Sequence, residues 1–276
     1  MQKIVTDKTT HQIGEAINNS SMLYADQQAR DTINDVIDEL AEWEEKETAL
    51  TDHQRLTDFN LADLKHAVVD QNLEKYGLRV GDYKTINGRD YVIAGLNCMK
   101  GSTSYTCTVD HVGLIVIPHV TQAWNVSGST STGADSRGAG YMNSDLHYYL
   151  KNTLLPLVNT DLGATNLLAH SKLLGNAVTD GRTSSWTWES DCKISALSEV
   201  QVYGSVVWGN NYDIGEADQQ LEVFQHFKHT AIFGNEYIWL RGVASASAAA
   251  HAYSDGHASN ATASYAGYVA ALILFH

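Results

Sequence analysis

Two patterns of apolar and polar residues divide the chain near residue 80. Over residues 10–50, apolar positions follow steps of three and four from Ile33 onward, and polar or acidic residues fill the other faces. This spacing predicts helix. A second helical stretch ends at Gly77, a residue type suited to a helix C-terminus, and its apolar positions are Leu56, Leu61, Leu64, Val68 and Leu73.

From residue 80 the pattern is that of short strands separated by loops. Asn87-Gly88 stands between two strand-like runs, residues 83–86 and 89–94, and predicts a hairpin with a type I′ turn. The other predicted elements are a helix from Ser144 that stops before Pro156, a helix over residues 216–227, and strands over residues 104–108, 112–117, 200–207, 237–241 and 268–275. This mixture of strands and helices predicts the α+β class.

The two patterns predict two parts with different roles, a helical part over residues 1–79 and an α+β domain over residues 80–276. The apolar stripe of the helical part is narrow, and a long helix with a narrow stripe needs partner helices to be stable. An intramolecular helical hairpin packed on the main domain meets that need. A coiled-coil stalk for oligomerisation and attachment meets it equally well, and both alternatives stay open.

The charge is distributed along the same division. The net charge is −14, of which residues 1–79 contribute −8, while residues 242–276 hold one charged side chain, Asp255, and 12 alanines. An acidic chain argues against nucleic acid and anionic lipid as partners. The first residues include no apolar secretory segment, and no apolar run is long enough to span a membrane, so we expect synthesis in a cytoplasm and no membrane insertion.

The sequence contains no motif that specifies a catalytic or metal site. It has no GxSxG, no P-loop, no GxGxxG after a strand and no HExxH. Cys98, Cys107 and Cys192 lack zinc-site spacing, so we expect buried reduced thiols, with a Cys98–Cys107 bridge as the alternative. Glu189 and Asp191 are interpreted as loop anchors, and the tryptophans as core residues. We therefore predict that the protein is not an enzyme and that it uses no cofactor or metal. The sequence does not indicate calcium, although calcium dependence stays open.

The tail of the chain has an unusual alternating composition. Over residues 244–266, alanine alternates with Ser, His, Tyr and Thr at a period of two along much of the stretch. In an extended segment this period places the two sets on opposite faces. One face is then uniform and small, and the other carries residue types that antibody binding loops favour. Residues 239–241 and 269–275 look like core strands, so the fold holds the segment at both ends.

Several short motifs, taken in order, resemble those of a known family. They are Tyr141-Met-Asn-Ser-Asp145, Trp186-Thr-Trp-Glu-Ser-Asp191, Leu197-Ser-Glu-Val200, Tyr237-Ile-Trp-Leu-Arg241, Tyr253-Ser-Asp-Gly256 and Gly267-Tyr-Val-Ala-Ala-Leu272. Residues 80–276 resemble the C-type-lectin-like domain of variable proteins targeted by diversity-generating retroelements. Many members are receptor-binding or fibre proteins of tailed phages and prophages. The family often closes with Gly-Val-Arg-Pro, and the sequence after Gly267 departs from that ending.

The resemblance implies a phage adhesin with a diversified ligand-binding surface. In the family the stretch after Trp-Leu-Arg, here about residues 242–268, carries the diversified positions. The implied ligand-facing residues are Ser245, Ser247, His251, Tyr253, His257, Ser259, Asn260, Thr262, Ser264 and Tyr265. The implied partners are a host cell-surface protein or glycan, further copies of the chain in a homotrimer, and other virion proteins through residues 1–79.

From these implied partners we expect the protein on the virion surface, in a phage tail or head fibre. Two alternatives come from other classes of protein. One is a structural decoration protein of the virion without a dedicated ligand site. The other is a formylglycine-generating oxidase, a relative within the lectin-like superfamily, whose late cysteine motif has no counterpart here.

Overall fold

The computed structural model describes residues 29, 31–35, 58–101, 106–131, 139–175, 186–209 and 219–276. Contacts group the chain into two units, Met1–Gln54 and Arg55–His276. In the first unit, residues 29 and 31–35 are helical, and the rest of the helix predicted over residues 10–50 lies outside the described ranges. The predicted division of roles after residue 79 stays a prediction.

The described part of the second unit mixes strands with short helices, which confirms the α+β class. Its strands are β1 (Tyr83–Ile86), β2 (Arg89–Leu96), β3 (Val112–Ile117), β4 (Thr121–Ala123), β5 (His170–Gly175), β6 (Trp186–Cys192), β7 (Ser195–Ala196), β8 (Ile238–Val243), β9 (Ala248–Ala252), β10 (Ala258–Thr262), β11 (Ala266–Tyr268) and β12 (Ala271–Phe275). Its α-helices are α1 (Leu61–Asp70), α2 (Asp145–Tyr149), α3 (Leu155–Leu162), α4 (Glu199–Tyr203), α5 (Glu222–His226) and α6 (His229–Phe233). A π turn, Leu150–Leu154, joins α2 to α3, and 3₁₀ turns span Glu74–Tyr76, Tyr141–Asn143 and Ala164–Asn166.

The first sheet has the order β1-β2-β3-β12-β7, with antiparallel neighbours throughout. β3 and β12 are buried along their whole length, because each is a continuous apolar run rather than an alternating one. Asn87 and Gly88 have φ values of 49° and 76°. A type I′ turn requires positive φ at both positions, so the predicted hairpin of β1 and β2 is confirmed.

The second sheet has the order β10-β9-β8-β11-β4, with β10 at one edge. β8, β9 and β10 are antiparallel neighbours, whereas β11 runs parallel to β8. β5 and β6 form a separate two-stranded sheet. The strand predicted over residues 268–275 is therefore divided between the two larger sheets, because β11 belongs to the second and β12 to the first.

Helix α1 packs on the strands through its apolar face. Asn60 caps its first turn, since its Oδ1 accepts the Ala62 N–H at 2.9 Å. Leu64 and Val68 are buried in the same core cluster as β3 and β12. The chain then passes through the first 3₁₀ turn, which ends at Gly77 with a φ of 68°. Gly77 thus ends a helical turn as predicted, although α1 itself ends earlier, at Asp70.

Two buried tryptophans hold the strands of the second sheet together. Trp124 Nε1 donates to the Leu240 carbonyl at 3.2 Å, and Trp239 Nε1 donates to the Gln122 carbonyl at 2.9 Å. Both bonds join β4 and its flank to β8. A Cβ at Gly267 would lie 2.8 Å from Trp239 Nε1, so a glycine there leaves room for the indole. The core interpretation is confirmed for these two tryptophans.

The strand predicted over residues 200–207 is wrong, because the stretch begins with helix α4. Ser198 Oγ accepts the Gln201 N–H at 3.1 Å, and Gln201 Oε1 accepts the Ser198 N–H at 2.9 Å. This capping box satisfies two backbone donors at the helix start. It outweighs the strand preference of the valines, and the helix ends at Gly204, which has a φ of 75°.

The helix that begins at Asp145 does not stop before Pro156. It passes through the π turn into α3, which ends at Leu162. Pro156 lies in the first turn of α3, where a residue without an N–H is tolerated. The helix predicted over residues 216–227 is shorter among the described residues, where α5 spans Glu222–His226, and residues 216–218 lie outside them.

Three further expectations need correction. Residues 186–192 form strand β6, so Glu189 and Asp191 lie in a strand rather than in a loop. Trp188 and Trp208 are 48% and 47% exposed, so the core interpretation is wrong for them. Residues 106–108 of the predicted strand 104–108 are not in a strand, and residues 102–105 lie outside the described ranges. The three cysteines are free thiols, as expected, although Cys98 is only partly buried.

Candidate ligand-binding surface

The tail forms a β-hairpin rather than one extended segment. β9 and β10 pair antiparallel in a register that sets His251 opposite Ser259. Strand alternation places Ala250 and Ala252 on one face and His251 and Tyr253 on the other. The predicted separation of small from mixed side chains therefore holds along this part of the tail.

Six rings contact one another around β8 and β9, and we call them the ring cluster: Tyr237, Trp239, His251, Tyr253, His257 and Tyr265. Tyr237 is at its centre, with ring centroids 4.5 Å from Tyr253 and 5.7 Å from Tyr265. Tyr253 stacks on His257 at 4.6 Å, with the two planes 25° apart. Four of the six rings are predicted ligand-facing residues, so the fold makes neighbours of positions that are separated in sequence.

His251 lies at the bottom of the ring cluster rather than at its surface. It is 4% exposed, and the Trp239 ring meets it edge-on at 5.8 Å. Burial, together with the charge of His257, lowers the pKa of His251 to about 4, so its imidazole is neutral at pH 7. Neither ring nitrogen has a hydrogen-bond partner among the described residues. His251 therefore packs under the rings that reach solvent.

The other predicted ligand-facing residues lie nearer to solvent, at two ends of the hairpin. Those near the β9–β10 turn include His257, which is exposed and donates from Nδ1 to Asp255 Oδ1 at 2.5 Å. At the opposite end, the Ala263 N–H donates to the Ser247 carbonyl and sets the two chain segments side by side. Ser247, His257, Thr262, Ser264 and Tyr265 are exposed, whereas Ser245, Tyr253, Ser259 and Asn260 are partly buried.

Trp208, a residue outside the tail, adds an exposed ring beside the hairpin. Its Nε1 donates to the Ala258 carbonyl at 3.0 Å. The carboxylate of Glu199 accepts the backbone N–H groups of Val207, Trp208 and Gly209, at distances from 2.5 to 3.3 Å. Burial raises the pKa of Glu199, and these three bonds oppose that rise. Glu199 thus holds the Trp208 loop from beneath. The sequence pattern does not indicate this role, since it shows only a tryptophan next to a glycine at this point.

A cavity of about 490 Å³ opens beside the turn of the hairpin. Residues in and around α4, α5 and α6 supply most of its wall, among them Tyr203, Phe224 and Lys228. The turn supplies Asp255, Gly256 and His257. Of these residues, sequence reasoning identified His257 alone as a site residue. Asp255 and Gly256 come from the turn itself, and the rest lie in and around three short helices whose spatial order the sequence pattern does not give.

Comparisons with known proteins assign no family. No protein-family model, no curated protein and no solved structure matches the chain.

Among the described residues, no three His, Cys, Asp or Glu side chains are grouped so that they could hold a metal ion. None of the helices in the described part combines the length and the apolar character that crossing a membrane requires. Burial raises the pKa of Cys192 to about 12, so this thiol is protonated at neutral pH.

Proposed function

We propose that the protein is an adhesin of the phage receptor-binding type, and that the β9–β10 hairpin and the ring cluster form its ligand-binding surface. One observation carries the proposal. The fold gathers Tyr253 and Tyr265 around Tyr237 and stacks His257 on Tyr253, and the family resemblance implies that Tyr253, His257 and Tyr265 are variable and ligand-facing. The scaffold in this proposal is a C-type-lectin-like domain.

The rings suit a contact surface because they are large and already ordered. Tyr253 lies between Tyr237 and His257, so it loses little side-chain freedom when a ligand binds. Tyrosine and small polar side chains supply contact area and hydrogen bonds at low entropic cost. Tyr265 is 46% exposed and brings a third ring to the surface. Together these side chains favour a binding role.

The backbone beneath the rings can keep its path when the side chains that it presents are replaced. β9 is paired on both sides, with β8 and with β10, so its path does not depend on the side chains that it presents. Ala249, Ala250 and Ala252 are fully buried, and larger side chains would not fit there without rearrangement. We therefore assign these three alanines to the scaffold and the solvent-facing positions to the variable set.

The proposed adhesin acts as an oligomer on the virion surface. Several copies that bind together raise the apparent affinity of a weak single site. We propose a homotrimer that is attached to other virion proteins through residues 1–79, with a host cell-surface protein or glycan as the ligand. Static light scattering of the full chain tests the assembly. A trimer is expected, and a chain that stays monomeric at all concentrations contradicts this part of the proposal.

A binding assay on intact cells tests the ligand-binding role. Fluorescently labelled protein is offered to a panel of intact bacterial strains, and binding is read by flow cytometry. The triple variant Tyr253→Ala, His257→Ala, Tyr265→Ala is expected to lose binding and to keep its circular dichroism spectrum and oligomeric state. Tyr148→Ala, at an exposed position on α2, is the matched control and should bind like the parent.

Two outcomes of this assay contradict the adhesin. If no strain binds the parent, or if the triple variant binds equally well, the hairpin is not a receptor-binding surface. If the triple variant instead fails to assemble, the hairpin serves a structural decoration role. The diversification itself predicts a near-copy of the coding region for residues 240–270, differing mainly at adenines, beside a reverse transcriptase gene. Absence of that copy removes the diversification from the proposal.

A further inference from the structure

The cavity beside the hairpin turn has a wall that comes mostly from outside the tail. Tyr203 ends α4, Phe224 lies in α5, and Phe227 and Lys228 lie between α5 and α6. The variable stretch about residues 242–268 contributes only the turn that closes one side. A ligand in this cavity would therefore meet mainly framework side chains, whatever residues the variable positions carry.

The aromatic part of the wall is held in place by its own packing. The Tyr203 ring meets the His229 ring edge-on at 5.6 Å, and the Phe224 ring lies 5.6 Å from the ring of Phe233. A Cβ at Gly81 would lie 2.7 Å from the ring of Phe227, so the glycine gives that ring its space. Fixed aromatic rings of this kind offer flat apolar surface to the C–H face of a sugar ring.

Hydrogen-bonding groups stand among these rings. The amide nitrogen of Gln220 donates to the carbonyls of Val202 and Phe224, at 3.1 and 3.2 Å, which leaves its Oε1 as an acceptor. The Tyr203 hydroxyl is buried and has no hydrogen-bond partner among the described residues, and burial raises the pKa of Tyr203. His229 Nε2 donates to the Tyr253 carbonyl at 3.1 Å, which joins the cavity wall to the hairpin.

The cavity also has a positively charged side chain that makes no ion pair in the described part of the chain. Lys228 is exposed and makes no ion pair among the described residues. The acidic group of the cavity, Asp255, is already paired with His257 Nδ1. Over residues 219–276 the basic side chains are Lys228 and Arg241, and Arg241 is buried. A ligand with a negative group would therefore meet Lys228 without displacing an existing partner.

We propose that this cavity binds a carboxylate-bearing monosaccharide, such as the terminal residue of an acidic glycan. The carboxylate pairs with Lys228, the apolar face of the sugar lies against the aromatic wall, and a sugar hydroxyl donates to Gln220 Oε1. The cavity volume falls within the range of small-molecule sites. This inference rests on the proposed function, because it names the ligand class for the same end of the hairpin.

The test uses defined sugars and the full chain. Saturation-transfer NMR and isothermal titration calorimetry measure binding of the methyl glycosides of N-acetylneuraminic acid and glucuronic acid. Methyl glucoside is the neutral counterpart, and tetraglutamate is the acidic peptide counterpart. We expect at least one acidic sugar to bind, and we expect Lys228→Gln to weaken it about tenfold or more. Lys65→Gln, at an exposed position on α1, should leave the binding unchanged.

Several results overturn the inference. They are no binding of either acidic sugar, equal binding of methyl glucoside, binding that Lys228→Gln does not change, or binding of tetraglutamate in place of the sugars. The Tyr265→Ala variant separates this inference from the proposed function. If Tyr265→Ala abolishes cell binding and the acidic sugars fail to bind, the cavity inference alone is wrong. If acidic sugars bind at Lys228 and no cell is bound, the adhesin proposal is wrong.

Discussion

The titration of His251 makes the stability of the protein depend on pH, and one substitution can isolate its contribution. An imidazole in an unfolded chain has a pKa of about 6.5. Burial, with the charge of His257, lowers the pKa of His251 to about 4 in the folded protein. The unfolded chain therefore binds more protons between these two values. Stability from this residue is complete above about pH 6.5 and is lost as the pH falls toward 4.

The magnitude follows from the same two values. Each pKa unit is worth about 1.4 kcal/mol, and lowering the pH from 7 to 5 crosses about 1.5 of the roughly 2.5 units that separate the two pKa values. His251 should thus contribute about 2 kcal/mol to the loss of unfolding free energy between pH 7 and pH 5. Burial also lowers the pKa of His170 to about 4, and it lowers the pKa values of His111 and His229. The parent should lose more than 2 kcal/mol in total.

The variant His251→Phe removes the titrating group and keeps a planar ring between Tyr237, Trp239 and Tyr253. The larger ring costs about 1–3 kcal/mol through overpacking, and this cost is the same at both pH values. Urea unfolding followed by tryptophan fluorescence gives the free energy at pH 7 and pH 5. The difference between the two should be about 2 kcal/mol smaller in the variant than in the parent.

His66→Phe is the matched control, because His66 is exposed on α1. It should keep the pH dependence of the parent. The reasoning is refuted if His251→Phe shows the same pH dependence as the parent, since His251 would then be protonated equally in the folded and unfolded states. It is also refuted if His66→Phe changes the dependence as much as His251→Phe does.

Two further predictions concern the support of the surface. Gly267→Ala places a Cβ 2.8 Å from Trp239 Nε1 and should lower the unfolding free energy by about 1–3 kcal/mol, and an unchanged urea midpoint would show that the indole does not need that space. Glu199→Gln replaces an acceptor oxygen with a donor beneath the Trp208 loop and should cost about 1–3 kcal/mol with a red shift of tryptophan emission. Glu222→Gln, at an exposed position, should do neither.

Local sequence patterns correctly predicted the elements at which the signal for one secondary structure is stronger than the signals for any other. Asn87-Gly88 specified the β1–β2 hairpin, because few residue pairs accept positive φ at both turn positions. The apolar run of β3 marked a fully buried strand. At residues 200–207 the valines indicated a strand, but the capping box of Ser198 and Gln201 made the first part a helix. The sequence pattern does not show whether two backbone caps, which favour a helix, outweigh β-branched side chains, which favour a strand.

The candidate site was predicted in part, for a similar reason. The alternation of the tail indicated which side chains of β9 share a face, but it did not show that His251 is covered by Tyr237 and Tyr253. That depends on the pairing of β9 with β8, a contact between segments apart in sequence. Trp208 and Lys228 were missed because loops and short helices bring them to the hairpin, and no periodic pattern marks such contacts.

The measurement that tests the central claim most directly is the affinity of one bound bacterial strain for the parent, Tyr265→Ala and Tyr148→Ala. Both tyrosines are about half exposed, and only Tyr265 belongs to the ring cluster. Tyrosines are enriched among the few interface residues that carry most of the binding energy, and a loss of about 1.4 kcal/mol is tenfold in affinity. Tyr265→Ala should weaken binding tenfold or more, with Tyr148→Ala unchanged. Equal affinity of all three proteins would contradict a ligand-binding surface at the hairpin.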